Sequence, residues 1–194
     1  MGVLPSWRWA GPIEATKMRF MNPLLVVTDM ERSVEFYEEV LGLRVETDLG
    51  ANKVLTGGLA LQTADTYRNF IGRDVSFGAN DAEVYFEEEE DFDGFADRLD
   101  GMRIEQVHPV KEHSRGQRVV RLYDPDRHIV EVGESMRAVC QRFLDDGMTR
   151  EQVAERMDML PSTSTSACGD IRTGEDDDRP EILRRAPPSD QRDT

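Results

Sequence analysis

The sequence predicts an α+β fold: two βαβββ repeats forming a curved, barrel-like mixed sheet, followed by short C-terminal helices. Three observations carry this expectation. A β-rich apolar stretch, Leu24 to Val27, leads directly into an amphipathic helical pattern. Three short strand-like segments punctuated by glycines follow it. The same order of strand, helix and three strands then recurs after residue 80.

Taken along the chain, residues 1–17 hold Pro5, Trp7, Trp9 and Pro12 without periodicity, and are expected to be a disordered leader. The domain proper covers 18–135. Its first repeat, 18–64, opens with a strand over 19–28. Thr28 to Glu31 has the capping-box pattern, Thr followed three residues later by Glu. Met30, Val34, Tyr37 and Leu41 then share one helix face, and Gly42 suits the left-handed position that ends a helix. Strands are expected over 43–47, 53–56 and 59–62, separated by Gly50 and the Gly57-Gly58 pair. Residues 63–80 read as a polar connection.

The second repeat, 80–135, begins with a strand over 82–87. Phe92, Phe95, Ala96 and Leu99 mark a helix that ends at Gly101. Strands follow over 103–107, 117–123 and 128–132, with an Asp124-Pro125-Asp126 turn before the last. Residues 136–161 form a pair of helices: one over 136–144, a break at Gly147, a capping box from Thr149 to Gln152, and a second helix over 153–159. Residues 162–194 are rich in Ser and Thr, then Asp, then Pro. That composition cannot bury enough apolar area to offset ordering entropy, so a disordered tail is expected.

Apolar residues make up 38% of the chain, which is low for a wholly packed protein and agrees with ends that stay outside the core. The formal net charge is −15, most of it between residues 18 and 161. An acidic domain repels phosphate backbones, so no nucleic acid and no membrane are expected as partners, while a cationic ligand is compatible. The plain meaning of the charge is solubility. The acid run from Glu87 to Asp91 suits a solvated loop at a helix N-terminus. Cys140 and Cys168 allow at most one disulfide. No apolar run approaches the roughly 20 residues of a membrane span. No secretory apolar region opens the chain, so a cytoplasmic location is expected.

The segment from Asn22 to Gly42, with its Asp29-led helix, its Phe36-Tyr37 pair and its Leu41-Gly42 ending, closely resembles the opening unit of the vicinal-oxygen-chelate superfamily, that of glyoxalase, bleomycin-resistance protein and extradiol dioxygenase. The stretch from Tyr123 through Asp124-Pro125-Asp126 to Glu131 is similar to the family's closing motif. The likeness spans residues 18–135. It implies that the repeats pair to enclose a concave ligand surface, and that the protein is a homodimer holding a small-molecule ligand or substrate.

The resemblance also implies a site. Metal-dependent members place one ligand on the first and one on the last strand of each unit, which by position are Asn22, Gln62, Glu83 and Glu131. Strand alternation agrees: Glu83 and Tyr85 share a face opposite Val84 and Phe86, and Glu131 lies opposite Val130 and Val132. Two amides and two carboxylates suit a hard ion better than Zn²⁺. The cofactor is therefore expected to be a divalent metal (Mn, Mg, Ni or Zn), with a metal-free site left open. In the metal-free case, Glu83 or Glu131 would act as a general base beside a carbonyl. In the plainest case, both simply hydrogen-bond amides, water or arginines.

His108, at a strand end, joins Glu83 and Glu131 as a catalytic candidate, and His113 lies in the following loop. Arg118 and Arg121 fall on opposite faces of one strand, so at most one reaches the cavity. There it would hold an anionic group bidentately or pair with Glu83 or Glu131. Gln117 and Tyr85 complete the expected ligand-binding set. The stretch 108–121 resembles a loop of one branch of the superfamily in which Trp often precedes the glycine; here Arg115 precedes Gly116. His128, just after the turn, reads as structural.

Two functions follow. The first is a metal-assisted lyase or isomerase of glyoxalase type, acting on a small carbonyl-containing molecule. The alternative is a non-catalytic small-molecule-binding protein of bleomycin-resistance type. A dioxygenase is disfavoured, because these positions lack the two-His-one-carboxylate triad. The C-terminal helices resemble a helix-turn-helix, but Glu151, Glu155 and Asp158 make poor electrostatics for DNA.

Overall fold

The computed structural model describes residues 19–158. The expected leader, the expected tail with Cys168, and the expected helix end at Met159 lie outside the described residues. The chain divides into two compact units between Val75 and Ser76.

The first unit contains β1 (Leu24–Val27), α1 (Met30–Leu41), β2 (Val45–Asp48), β3 (Asn52–Leu55), β4 (Ala60–Thr63) and α2 (Ala64–Ile71). Its sheet runs β1-β4-β3-β2, with β1 parallel to β4 and the other pairs antiparallel. The cap of α1 is Asp29 rather than the expected Thr28. Asp29 has extended backbone, and its carboxylate accepts the Arg32 N–H, the third helical donor that a cap must satisfy. Gly42, at φ 69°, closes the helix, with its N–H on Glu38 O and that of Leu43 on Tyr37 O. Val27, Tyr37, Leu55 and Leu61 are wholly buried here, each worth about 1.5–3 kcal/mol of apolar transfer.

The 63–80 segment is more than a connection, because it contains α2. This helix is amphipathic, with Ala64, Tyr67 and Ile71 on one face, although it buries none of its residues completely. Arg68 pairs with Asp65 along it at 2.9 Å, and Gly72 at φ 64° ends it.

The second unit contains β5 (Glu83–Glu88), α3 (Phe92–Gly101), β6 (Gln106–Glu112), β7 (Arg118–Tyr123), β8 (Ile129–Glu134), α4 (Met136–Asp145) and α5 (Arg150–Arg156). The order β5-β8-β7-β6, with β5 parallel to β8, repeats that of the first unit. Neither four-stranded sheet closes into a barrel. Strand β6 runs three residues later than the expected 103–107 and continues through Pro109 and two charged residues. It is an edge strand, where proline and charge are tolerated, and its register with β7 slips twice. His108 thus sits inside a strand instead of at its end.

Asp91 caps α3 by accepting the Gly94 N–H at 2.8 Å. A side chain at Gly94 would press on the Asp91 carboxylate, which would have to shift to keep the cap. Helices α4 and α5 enclose their own apolar cluster of Val139, Cys140, Phe143, Val153 and Met157. They are tied to the β6–β7 hairpin by Arg142 to Gly116 O (2.6 Å), by Arg156 to Ser114 O and Glu112, and by Arg115 to Asp158 (2.7 Å). The expected capping box at Thr149 and Gln152 is present.

Candidate functional site

The pairing of β5, β8, β7 and β6 brings five of the expected residues to one sheet face. Tyr85 opposes Glu131, Glu131 opposes Arg121, and Arg121 opposes His108, so these side chains emerge on the same side. Glu83, two residues before Tyr85, shares that side. Val84, Val130, Val132, Val120 and Leu122 take the opposite side and supply apolar burial.

Arg121 organises the face. Its Nε donates to Glu83 Oε2 at 3.0 Å, its Nη2 pairs with Glu131 Oε2, and its Nη1 lies 3.2 Å from His108 Nε2. An arginine nitrogen only donates, so His108 Nε2 accepts, and the imidazole is the neutral tautomer with its proton on Nδ1. That proton is donated to Pro109 O at 2.8 Å. Glu131 is buried, whereas Glu83 keeps 41% of its side chain exposed and so is the carboxylate an incoming molecule meets. Both glutamates contact the same guanidinium, Glu83 at Nε and Glu131 at Nη2, which offsets the repulsion that a bare carboxylate pair would carry.

Beside this group, Tyr85 OH donates to Glu87 Oε1 and accepts from Gln117 Nε2, both at 2.8 Å. Burial and then the Glu87 carboxylate push the Tyr85 phenol up to about 12, so it remains a protonated donor. Gly133 makes this packing possible: an added side chain would stand 3.0 Å from Gln117 Nε2 and 3.1 Å from the Tyr85 ring.

Arg118 is not brought to this face. It lies on the apolar side, where Glu134 accepts from both Arg118 (3.1 Å to each oxygen) and Arg142 (3.2 and 3.0 Å), while Arg118 also reaches Asp93 at 2.6 Å. Burial pushes the Glu134 carboxyl up, but hydrogen bonds from the two arginines outweigh burial and hold it below the ordinary carboxylate range. Sequence reasoning missed Glu134 and Arg142. The available signal was opposite charges at apolar-face positions of adjacent strands, Arg118 in step with Val120 and Leu122, and Glu134 in step with Val130 and Val132. A cleft of about 930 Å³ lies between the acidic turn 87–93 and α4, beside this triad, and none of Glu83, Glu131, Arg121 or His108 lines it.

His128 is bonded within its own turn: its Nδ1 lies 2.8 Å from Asp124 Oδ2, and Asp124 Oδ1 accepts from the N–H groups of Asp126 and His128. Burial lowers the His128 pKa, but the Asp124 hydrogen bond and the Asp124 and Asp126 charges prevail and leave it above its ordinary value.

The remaining expected residues belong to the first unit. Gln62 is buried, accepting from Asn52 at 3.1 Å and donating to Ala51 O at 2.9 Å. Asn22 is near the surface and donates to Pro23 O at 3.3 Å. Thus the Gln62 amide is engaged at both ends, and both glutamates already hold a cation. Within the second unit, Glu83 and Glu131 are taken up by the Arg121 guanidinium and so do not fit a divalent ion as arranged, and no group of three or more His, Cys, Asp or Glu that could hold a metal occurs among the described residues.

Comparison with known proteins places this geometry in a family. The glyoxalase-like domain matches residues 20–137. A protein of unknown function from Agrobacterium tumefaciens is 34% identical over 62% of this chain and 97% of its own, with a TM-score of 0.56. A glyoxalase/bleomycin resistance protein/dioxygenase from Nocardioides is 22% identical over 63% of this chain and 86% of its own, with a TM-score of 0.53. A glyoxalase-related enzyme from Fulvimarina pelagi shares the fold at 18% identity and a TM-score of 0.52, over 60% of this chain and 87% of its own. No curated protein matches. Repeated βαβββ units, their strand order and the match over most of the described residues together make this chain a member of the glyoxalase-like domain family, within the glyoxalase/bleomycin-resistance/dioxygenase fold.

Proposed function

We propose that this chain is a non-catalytic binding protein for a small molecule that carries a positive charge or several hydrogen-bond donors, held at the Glu83–Glu131–Arg121 face of the second unit. One observation carries the reading: two carboxylates, Glu83 and Glu131, share a single guanidinium at this face. The half-exposed Tyr85 ring, register partner of Glu131, offers a π face to a cation. Arg121 already faces Glu83, Glu131 and His108, so an incoming anion meets two carboxylates beside the guanidinium. A homodimer belongs to the same reading, since exposed Phe20, Met21 and Leu24 offer apolar area that a second copy would cover; sedimentation equilibrium tests this. A cytoplasmic location is proposed with it. No helix among the described residues is long and apolar enough to cross a membrane.

The lyase or isomerase reading has one observation in its favour. The accessible Glu83 carboxylate adjoins Arg121 at 3.0 Å, so a base and an oxyanion donor stand side by side. Against it, the Glu83 carboxylate already accepts from the Arg121 guanidinium, so a substrate proton has to displace that bond. Calorimetric titration with a panel of small organic amines, matched neutral compounds and matched carboxylates separates the readings. The amines are expected to bind, with loss in Glu83→Gln and Tyr85→Ala. Preferential binding of the carboxylates overturns the charge argument. Deuterium exchange next to a carbonyl, lost in Glu83→Gln, would establish the enzyme instead.

A further inference from the structure

The residues around Arg121 are of the kinds that hold metals. Two carboxylate oxygens and one imidazole nitrogen converge on the guanidinium from three neighbouring strands, β5, β8 and β6. The imidazole is already set as a metal-binding histidine would be, with its Nε2 lone pair aimed inward and its Nδ1 proton fixed on the Pro109 carbonyl. What lies at the centre is a side chain of this protein. Register pairing places Arg121 between Glu131 and His108, and the flat guanidinium meets one acceptor with each nitrogen. With that side chain in place, these acceptors are not among any group of three His, Cys, Asp or Glu that could hold a metal in the described residues.

We propose that Arg121 is the built-in cation of this site: it takes the place of a divalent ion, keeps the site metal-independent, and masks a two-carboxylate, one-imidazole ligand set that its removal would expose. The inference shares the Arg121 cluster with the binding reading above, but it requires no organic ligand, so either can fail alone. Removing the guanidinium leaves two uncompensated negative charges beside a neutral imidazole, donors suited to Mn²⁺, Ni²⁺ or Zn²⁺. A lysine would not have this effect, because it restores the charge.

The test is equilibrium dialysis of the untagged full chain against Mn²⁺, Ni²⁺ and Zn²⁺ with metal analysis by mass spectrometry, comparing wild type, Arg121→Ala, Arg121→Lys and the double variants that add His108→Ala or Glu131→Gln to Arg121→Ala. Folding is checked by circular dichroism. Wild type and Arg121→Lys are expected to hold no stoichiometric metal. Arg121→Ala should take up one ion per chain, weakened at least roughly tenfold by either second change, and low millimolar guanidinium should displace it. Stoichiometric metal in wild type that is lost in Glu131→Gln overturns the proposal, and so does a folded Arg121→Ala that gains none. Should that variant fail to fold, wild type still decides. The ¹⁵N signals of His108 should report an acceptor Nε2 and stay unmoved in excess Zn²⁺; movement there means that metal displaces the arginine and overturns the proposal.

Discussion

A glycine at position 116 has two separate reasons to be there. Its φ of 91° lies in the region that costs a side chain about 1 kcal/mol, and an added Cβ would overlap the Phe143 ring of α4. Its carbonyl also accepts from Arg142, so the hairpin cannot move away without loss. Gly116→Ala should therefore destabilise by about 2–3 kcal/mol, strain and overpacking together, as a lowered urea midpoint. Adding Phe143→Leu should recover the overpacking share but not the strain. At this scale much of the candidate site could be read beforehand: strand alternation puts Glu83, Tyr85 and Glu131 on one face, and it shows that Arg118 and Arg121 part company. It does not show that Arg121 reaches Glu83, Glu131 and His108 at once, because that depends on register across four strands.

Elements whose burial is one-sided were legible, and elements that bury little were not. Helix α1 shows a clear apolar stripe through Met30, Tyr37 and Val40. Helix α2 is only eight residues long and its apolar face of Ala64, Tyr67 and Ile71 lies within a polar stretch, while β6 is an exposed edge with a proline and leaves no periodic trace. The junction of β8 and α4 depends on the Arg118–Glu134–Arg142 triad, where Glu134 is 2% exposed. Deleting one member of a buried ion network leaves the others unpaired and costs roughly 3–5 kcal/mol. Arg118 keeps Asp93, so Glu134→Gln should fall at about the lower end, roughly 3 kcal/mol. The loss should appear first as faster hydrogen exchange in α4 and in the last turn of β8, since that end of the sheet is what the carboxylate pins.

For the molecule as a whole, pH dependence follows from two groups with opposite shifts. The Glu134 pKa is lowered in the fold, so its contribution is complete above the ordinary carboxyl value of 4.5 and disappears as pH falls through the lowered value. The His128 pKa is raised, so its contribution is complete below the ordinary 6.5 and is lost as pH rises through the raised value. Together they place maximum stability between these ordinary values, on the acid side of neutrality. The net charge of −15 works in the same direction on the alkaline limb, because self-repulsion grows as the last protons leave. Salt distinguishes the two causes. Repulsion among exposed charges is screened over roughly 10 Å at 0.1 M, whereas the His128–Asp124 pair is in direct contact and half-buried. Melting temperatures from pH 4 to 9 should therefore peak between 4.5 and 6.5. Added NaCl should lift the alkaline limb without flattening it, and His128→Gln should remove the slope that salt leaves behind. A maximum above neutral pH, or a residual slope unchanged in His128→Gln, would show that the β7–β8 turn does not govern the alkaline limb.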